Sequence, residues 1–304
     1  MNEQKLNNIT WISIVRPDER ELTLLEERFP QIHPLVLEDL HSPTIRPSHV
    51  ESYDHHLYMV LHFTNFLEGL KKTINYEVDF IVFTDTLITV QYEPIPLIGD
   101  AWREYEADKS MRDQYGKTPF HLLSYLIRMF FAFSLKELDQ IQQAVDEIEE
   151  RVFSGRVKEL LEDISVLKRN LLDFRRATKP QQLTLESLVN QGVHIAGERV
   201  RPLLLDLVGE YRKVWDLLEN HKEALDALYD TNYALLTSKI NETVRVFTIL
   251  AFISFIPTAI ANMYGMNLIR IPLAERPNAF WEILAIMAAL TAVIYLILKW
   301  RKLV

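Results

Sequence analysis

Thr248, Ser254, Thr258 and Asn262 bring hydrogen-bonding oxygen into the most apolar part of the chain, inside a stretch with no charged residue from Val246 to Ile269. In lipid each is costly unless it meets protein or water, and an amide, with both donors and an acceptor, is the hardest to satisfy. Thr248, Thr258 and Asn262 fall at helical spacing, with Ser254 on another face. The hydroxyls can bond back to their own helix. Asn262 calls for a partner, which a water-filled pathway between several chains would supply. The chemistry within reach is therefore solvation of something that crosses.

Other residue types narrow the choice. With no cysteine in 304 residues, disulfides and thiolate metal sites are unavailable, so a bound metal would be hard and oxygen-liganded or held by histidine. His55 and His56 are adjacent, with His49 and His62 nearby, but neighbours on a strand point to opposite faces and do not share one ion. The acid pairs Glu149–Glu150 and Glu162–Asp163 read as solvated helix faces. Neither a phosphate-binding glycine loop nor a nucleophile elbow is present, and no enzymatic activity is expected. A net charge of −9 argues against nucleic acid as a partner.

These groups need elements to position them. Residues 1–115 read as a mixed α/β domain, with strands at Ile9–Val15, Leu57–Phe63, Tyr76–Phe83 and Leu87–Tyr92 and a helix over Pro17–Phe29. Residues 116–200 read as an antiparallel helical pair, 119–153 and 156–190, broken at Ser154–Gly155. The apolar patch Leu122–Leu135, interrupted by Arg128, is too short to span a bilayer and predicts a buried face. From Pro202 a stripe runs through Leu204, Val208, Tyr211, Trp215, Leu218, Leu225, Tyr229 and Leu236 in steps of three and four, with Gly209 as its weak point. A helix over 201–264 would be on the order of 90 Å long.

Its last part, about 245–264, is long enough to be a membrane span, and residues 281–299 form a second, flanked by Trp281 and Trp300. Residues 265–280 form the connecting loop and 300–304 a basic tail. Lys239 and Arg245 before the first span, with Lys299, Arg301 and Lys302 after the second, predict both termini in the cytoplasm, in a plasma (inner) membrane. The opening MNEQKLNNITW has no apolar run, so no secretory signal is expected. Two spans cannot enclose a pore, so the chain is expected to pair with copies of itself in the bilayer.

Tyr264-Gly265-Met266-Asn267 ends the first span. In that place it resembles the signature of the CorA family of magnesium and cobalt transporters. His33-Pro34-Leu35-Val36-Leu37-Glu38-Asp39-Leu40, then Arg46-Pro47, Glu51 and Tyr53-Asp54, is similar to the family's N-terminal pattern. Leu167-Lys168-Arg169-Asn170-Leu171 through Arg175-Arg176 to Pro180, Pro202 with Asp206, Asn241-Glu242 and Thr258 also resemble it, and the likeness runs nearly the whole chain.

The resemblance implies an α+β chain in a funnel-shaped homopentamer: a cytoplasmic α/β domain, a long-helix stalk and two transmembrane helices. Gly265, Met266 and Asn267 would form the ion entry, with the Asn267 amides ringing the mouth and contacting the ion's water shell, and Gly265 letting the backbone turn. Asn241, Thr258 and Asn262 would be polar pore-lining positions, and Val244, Phe247 and Phe255 apolar rings that dewet the closed pore. The cargo would be Mg2+, Co2+ or Ni2+, driven by membrane potential, gated by intracellular Mg2+, with no organic cofactor. Asp206 would hold a regulatory metal with an acid from the neighbouring subunit, Glu77 and Asp79 being candidates. Three positions depart from the pattern: the loop carries Arg270 and only Glu275 as an acid, Asn262 replaces a small residue, and Gly209 replaces an acid. Zinc transport on the same scaffold and a membrane-tethered scaffold or signalling role are the alternatives.

Overall fold

The computed structural model describes residues 1–6, 9–67, 72–154, 160–266, 272 and 276–301. They fall into two compact units, Met1–Tyr229 and Asp230–Val304.

The first unit is built on a six-stranded sheet among the described residues, in spatial order β1 (Asn2–Leu6), β2 (Ile9–Val15), β6 (Thr86–Gln91), β5 (Lys72–Val82), β4 (Leu57–Leu67) and β3 (His49–Ser52). All neighbours are antiparallel except β2 and β6, which run parallel. Strand alternation sends side chains to two cores. Ile12, Ile14, Tyr58, Val60, Ile81, Ile88 and Val90 pack under α1 (Glu19–Arg28) and α2 (Pro34–Asp39). Trp11, Leu57, Met59, Leu61, Phe63, Val78, Phe80 and Leu87 face the helices of the opposite layer. The two strands that sequence reading passes over, β1 and β3, lie at the sheet edges and are short and polar, where little hydrophobic alternation is required.

That opposite layer holds α3 (Pro96–Ala107), α4 (Lys109–Tyr115), α5 (Pro119–Phe153), α6 (Leu160–Thr178) and α7 (Gln181–Ala196). Phe120, Leu122, Leu123, Leu126, Ile127, Phe130 and Phe131 of α5 are at most 1% exposed, so its apolar patch is a core face. Where the sequence predicts one helix over 156–190, the structure has two. Proline at 180 has no N–H to continue the ladder, and α6 ends just before it. The break lets α7 dock on the sheet edge: Gln181 Nε2 donates to the His62 carbonyl at 2.6 Å, and Thr184 Oγ1 donates to the Ser48 carbonyl at 2.8 Å. Gly192 allows the close crossing that follows, since a Cβ there would stand 2.6 Å from Leu204 Cδ1 and 3.0 Å from Phe120 Cε1.

A 64-residue helix, α8 (Arg201–Tyr264), begins in this unit, where Leu204, Leu207, Tyr211, Val214, Leu218 and Leu225 are buried. The second unit holds the remainder of α8 and α9 (Ala279–Trp300). Both helices are long and apolar enough to cross a membrane.

Candidate ion pathway and stalk acid

Within the second unit the apolar part of α8 has two unlike faces. Its larger half-buried side chains are Ile249, Ile253, Ile256, Pro257, Ile260 and Tyr264, stepping by three and four residues. In α9 the half-buried set is Ile283, Met287, Thr291, Ile294 and Leu298, again at helical spacing. Among the described residues α9 is the other helix of this unit.

Asn241, Val244, Phe247, Thr248, Phe255, Thr258 and Asn262 are all exposed. At about 100° per residue they share an arc of roughly 120°, centred nearly opposite the half-buried stripe. The positions singled out in the sequence thus lie together on one exposed face of α8. Val244, Phe247 and Phe255 are 56%, 67% and 68% exposed, which is costly in water and unsettled for a helix alone.

The hydroxyls take the local option. Thr248 donates to the Val244 carbonyl at 2.7 Å, Ser254 to Leu250 at 2.6 Å and Thr258 to Ser254 at 2.8 Å. Pro257 sits inside the helix, and its missing N–H releases the carbonyl of Ile253 from the ladder. Gly265, the residue expected to let the backbone turn, does not have a positive φ. Its role is closeness: its N–H bonds the Ala261 carbonyl at 2.9 Å, and a Cβ would stand 3.2 Å from that oxygen. Met266 is 54% exposed. Asn267, with most of the following loop including Arg270 and Glu275, lies outside the described residues. At the start of α9 Glu282 pairs with Arg276 at 3.2 Å.

The acid candidates in the first unit separate cleanly. Asp206 is half exposed and paired with Arg128 at 3.3 Å. Asp79 is fully buried and takes hydrogen bonds from Tyr58 Oη at 3.0 Å and Tyr92 Oη at 2.9 Å. Burial, reinforced by Glu77, pushes its carboxyl up to about 8 against the opposing pull of the two phenols. Asp79 therefore cannot meet a neighbouring chain, which corrects its place as a partner of Asp206. Glu77 is similarly committed: it accepts from the Thr44 N–H at 2.8 Å and pairs with His62 at 3.1 Å, with a side chain 7% exposed. Among the described residues no group of three or more His, Cys, Asp or Glu side chains is placed to hold a metal ion.

The N-terminal motif is architectural. His33 caps α2, its ring accepting from the Leu35 N–H at 3.3 Å, and stacks on Tyr53 at 4.6 Å; Tyr53 donates to Glu51 at 2.7 Å. His56 is buried beneath Tyr53, ring on ring at 4.8 Å, and burial lowers it to about 4, a neutral core histidine. Sequence reasoning missed the cations that grip α8: Arg128 was noticed only as a gap in an apolar patch, and Lys168 and Arg175 only as parts of a motif.

Residues 7–300 match the family described as CorA-like Mg2+ transporter protein. The chain belongs to that family. The cobalt/magnesium transport protein CorA of Thermotoga maritima is 26% identical over 296 residues, spanning 96% of this chain and 83% of that one. The CorA magnesium transporter of Methanocaldococcus jannaschii, in its complete structure, superposes with a TM-score of 0.83 at 20% identity, over 98% of this chain and 93% of that one. The ZntB cytoplasmic domain from Vibrio parahaemolyticus has the same fold more distantly, with a TM-score of 0.54 at 16% identity, over 78% and 88%. This CorA-family chain is thus a membrane protein with an N-terminal α/β portion, a long helix and two C-terminal apolar helices.

Proposed function

We propose that the chain is a divalent-cation channel that assembles as a homopentamer, with α8 lining the pathway, α9 outside it and Mg2+ as principal cargo. The observation that carries this reading is the two-faced α8 in a member of the CorA-like family: the stripe with Asn241, Thr258 and Asn262 is opposite the half-buried one. Exposed Phe247 and Phe255 on the same arc suit a constriction that closes by dewetting. Cobalt and nickel are secondary cargoes, and no chemistry is performed on them.

Both termini lie in the cytoplasm, and ion entry is at Gly265, Met266 and Asn267. Five Asn267 amides contact the ion's coordinated waters, in keeping with the reluctance of Mg2+ to dehydrate. Membrane potential drives uptake at roughly 2.3 kcal/mol per elementary charge per 100 mV, twice that for a divalent ion. Intracellular Mg2+ reduces flux by binding at Asp206.

The test is ion flux into liposomes holding the purified chain, comparing Mg2+, Co2+, Ni2+ and Zn2+ under an imposed potential. Potential-dependent Mg2+ entry by a pentamer is expected. Entry of Zn2+ alone would replace the cargo assignment, and no flux from an intact membrane-inserted oligomer would overturn the channel.

A further inference from the structure

The helix α6 meets α8 through a repeated charged clamp. Lys168 Nζ lies 2.6 Å from Asp226 Oδ1 and 5.4 Å from the centre of the Tyr229 ring. Seven residues on, Arg175 Nε lies 2.7 Å from Glu219 Oε1, and its guanidinium carbon lies 5.6 Å from the centre of the Trp215 ring. The acids are likewise seven residues apart and run in the opposite chain direction, so two turns of antiparallel helix repeat one device. Each α6 cation is seated on an acid and an aromatic of α8. Lys222 adds a second ammonium to Asp226 at 3.1 Å, and Lys168, then Lys222, hold that carboxyl below the usual carboxylate range.

Between the clamps the seam is apolar. Leu171, Leu218 and Leu225 are 3%, 1% and 1% exposed, and enclose only a sliver of space with Lys168, Arg175 and Lys222. Leucine seams alone tolerate sliding, because one methyl group resembles the next. A cation that must satisfy both an acid and a ring face has one register. An isolated exposed ion pair contributes little, but the aromatic seats and the repeat add direction.

We propose that Lys168 and Arg175 are positioning residues that latch α6 to α8 in one register and thereby set the conducting state. This rests on the channel reading above, since α8 continues unbroken from the clamps into the apolar segment. The latch gives a role to the two aromatics, Trp215 and Tyr229, that the stripe carries.

The experiment combines flux with a distance. The chain lacks cysteine, so spin labels at Arg169→Cys and Glu223→Cys, both exposed, report the α6–α8 separation in the intact oligomer. Lys168→Glu is expected to broaden that distance distribution and change initial Mg2+ flux at least threefold. Lys168→Arg, which keeps a cation for both Asp226 and the Tyr229 ring, is expected to leave both unchanged, and Lys168→Gln to give an intermediate effect. An unchanged distance distribution in Lys168→Glu overturns the latch. A Lys168→Arg variant that departs from the unsubstituted chain as far as Lys168→Glu does, with the oligomer intact, also overturns it. Absence of flux in the unsubstituted chain would instead remove the channel reading, leaving the distance measurement to judge the latch.

Discussion

Arg128 Nη1 stands 3.3 Å from Asp206 Oδ2, joining α5 to the first turns of α8 with both side chains half exposed. A metal ion arriving at Asp206 must displace a guanidinium already there. Arg128→Ala should therefore lower the internal Mg2+ concentration that halves flux, and Asp206→Ala should raise flux at millimolar-scale internal Mg2+. Flux titrations in liposomes check both. Inhibition untouched by Asp206→Ala would show that the sensor lies elsewhere.

Asp79 gives a pH signature. Its buried carboxyl is pushed up to about 8, so the folded chain keeps a proton that the unfolded chain releases near the ordinary carboxylate value. The associated stability is full below that value and is lost as pH rises through about 8. Melting temperature should fall between pH 5 and 9, limits chosen to bracket about 8, and Asp79→Asn should flatten this slope. An equally steep slope in the variant would exclude Asp79 as its source.

Asn267 is tested by function. Asn267→Ala should nearly abolish Mg2+ uptake while the oligomer, measured by native mass, is unchanged. Asn267→Asp should bind the ion more tightly and alter selectivity rather than restore flow. Wild-type uptake by the alanine variant would remove Asn267 from the entry.

Two helical glycines should respond oppositely to alanine. At Gly209 nothing lies within 4 Å of a built Cβ, so Gly209→Ala should stabilise by about 0.5–1 kcal/mol. At Gly192 the Cβ meets Leu204 and Phe120, and overpacking should cost about 1–3 kcal/mol. Denaturation of both variants in detergent measures the contrast.

The long elements were legible because their periodicity is strong: Ile9–Val15 is β2, and the stretch from Pro202 to Tyr264 is helical throughout. The edge strands β1 and β3 left little trace, since one face of an edge need not be apolar. The break at Pro180 was written in the sequence, but the helical spacing on either side masked it. On α8, Asn241, Val244, Phe247 and Phe255 came only with the family resemblance, whereas Thr248, Thr258 and Asn262 were readable from spacing. The pairs Arg128–Asp206, Lys168–Asp226 and Arg175–Glu219 were not, because a charge on a helix looks the same whether it faces water or an acid on another helix.

The back-bonded hydroxyls of α8 carry a consequence for whatever passes them. Thr248 and Thr258 spend their protons on carbonyls of their own helix, so the outward side of each oxygen offers only lone pairs. Water bound to a cation points its hydrogens away from the ion, and water around an anion points its oxygen away. In the proposed pentamer a ring of such oxygens would greet the first kind of hydration shell and have nothing to give the second. On that reading the sign of the charge would be sorted by the orientation of water. Thr258→Val would erase that distinction while keeping the shape of the wall.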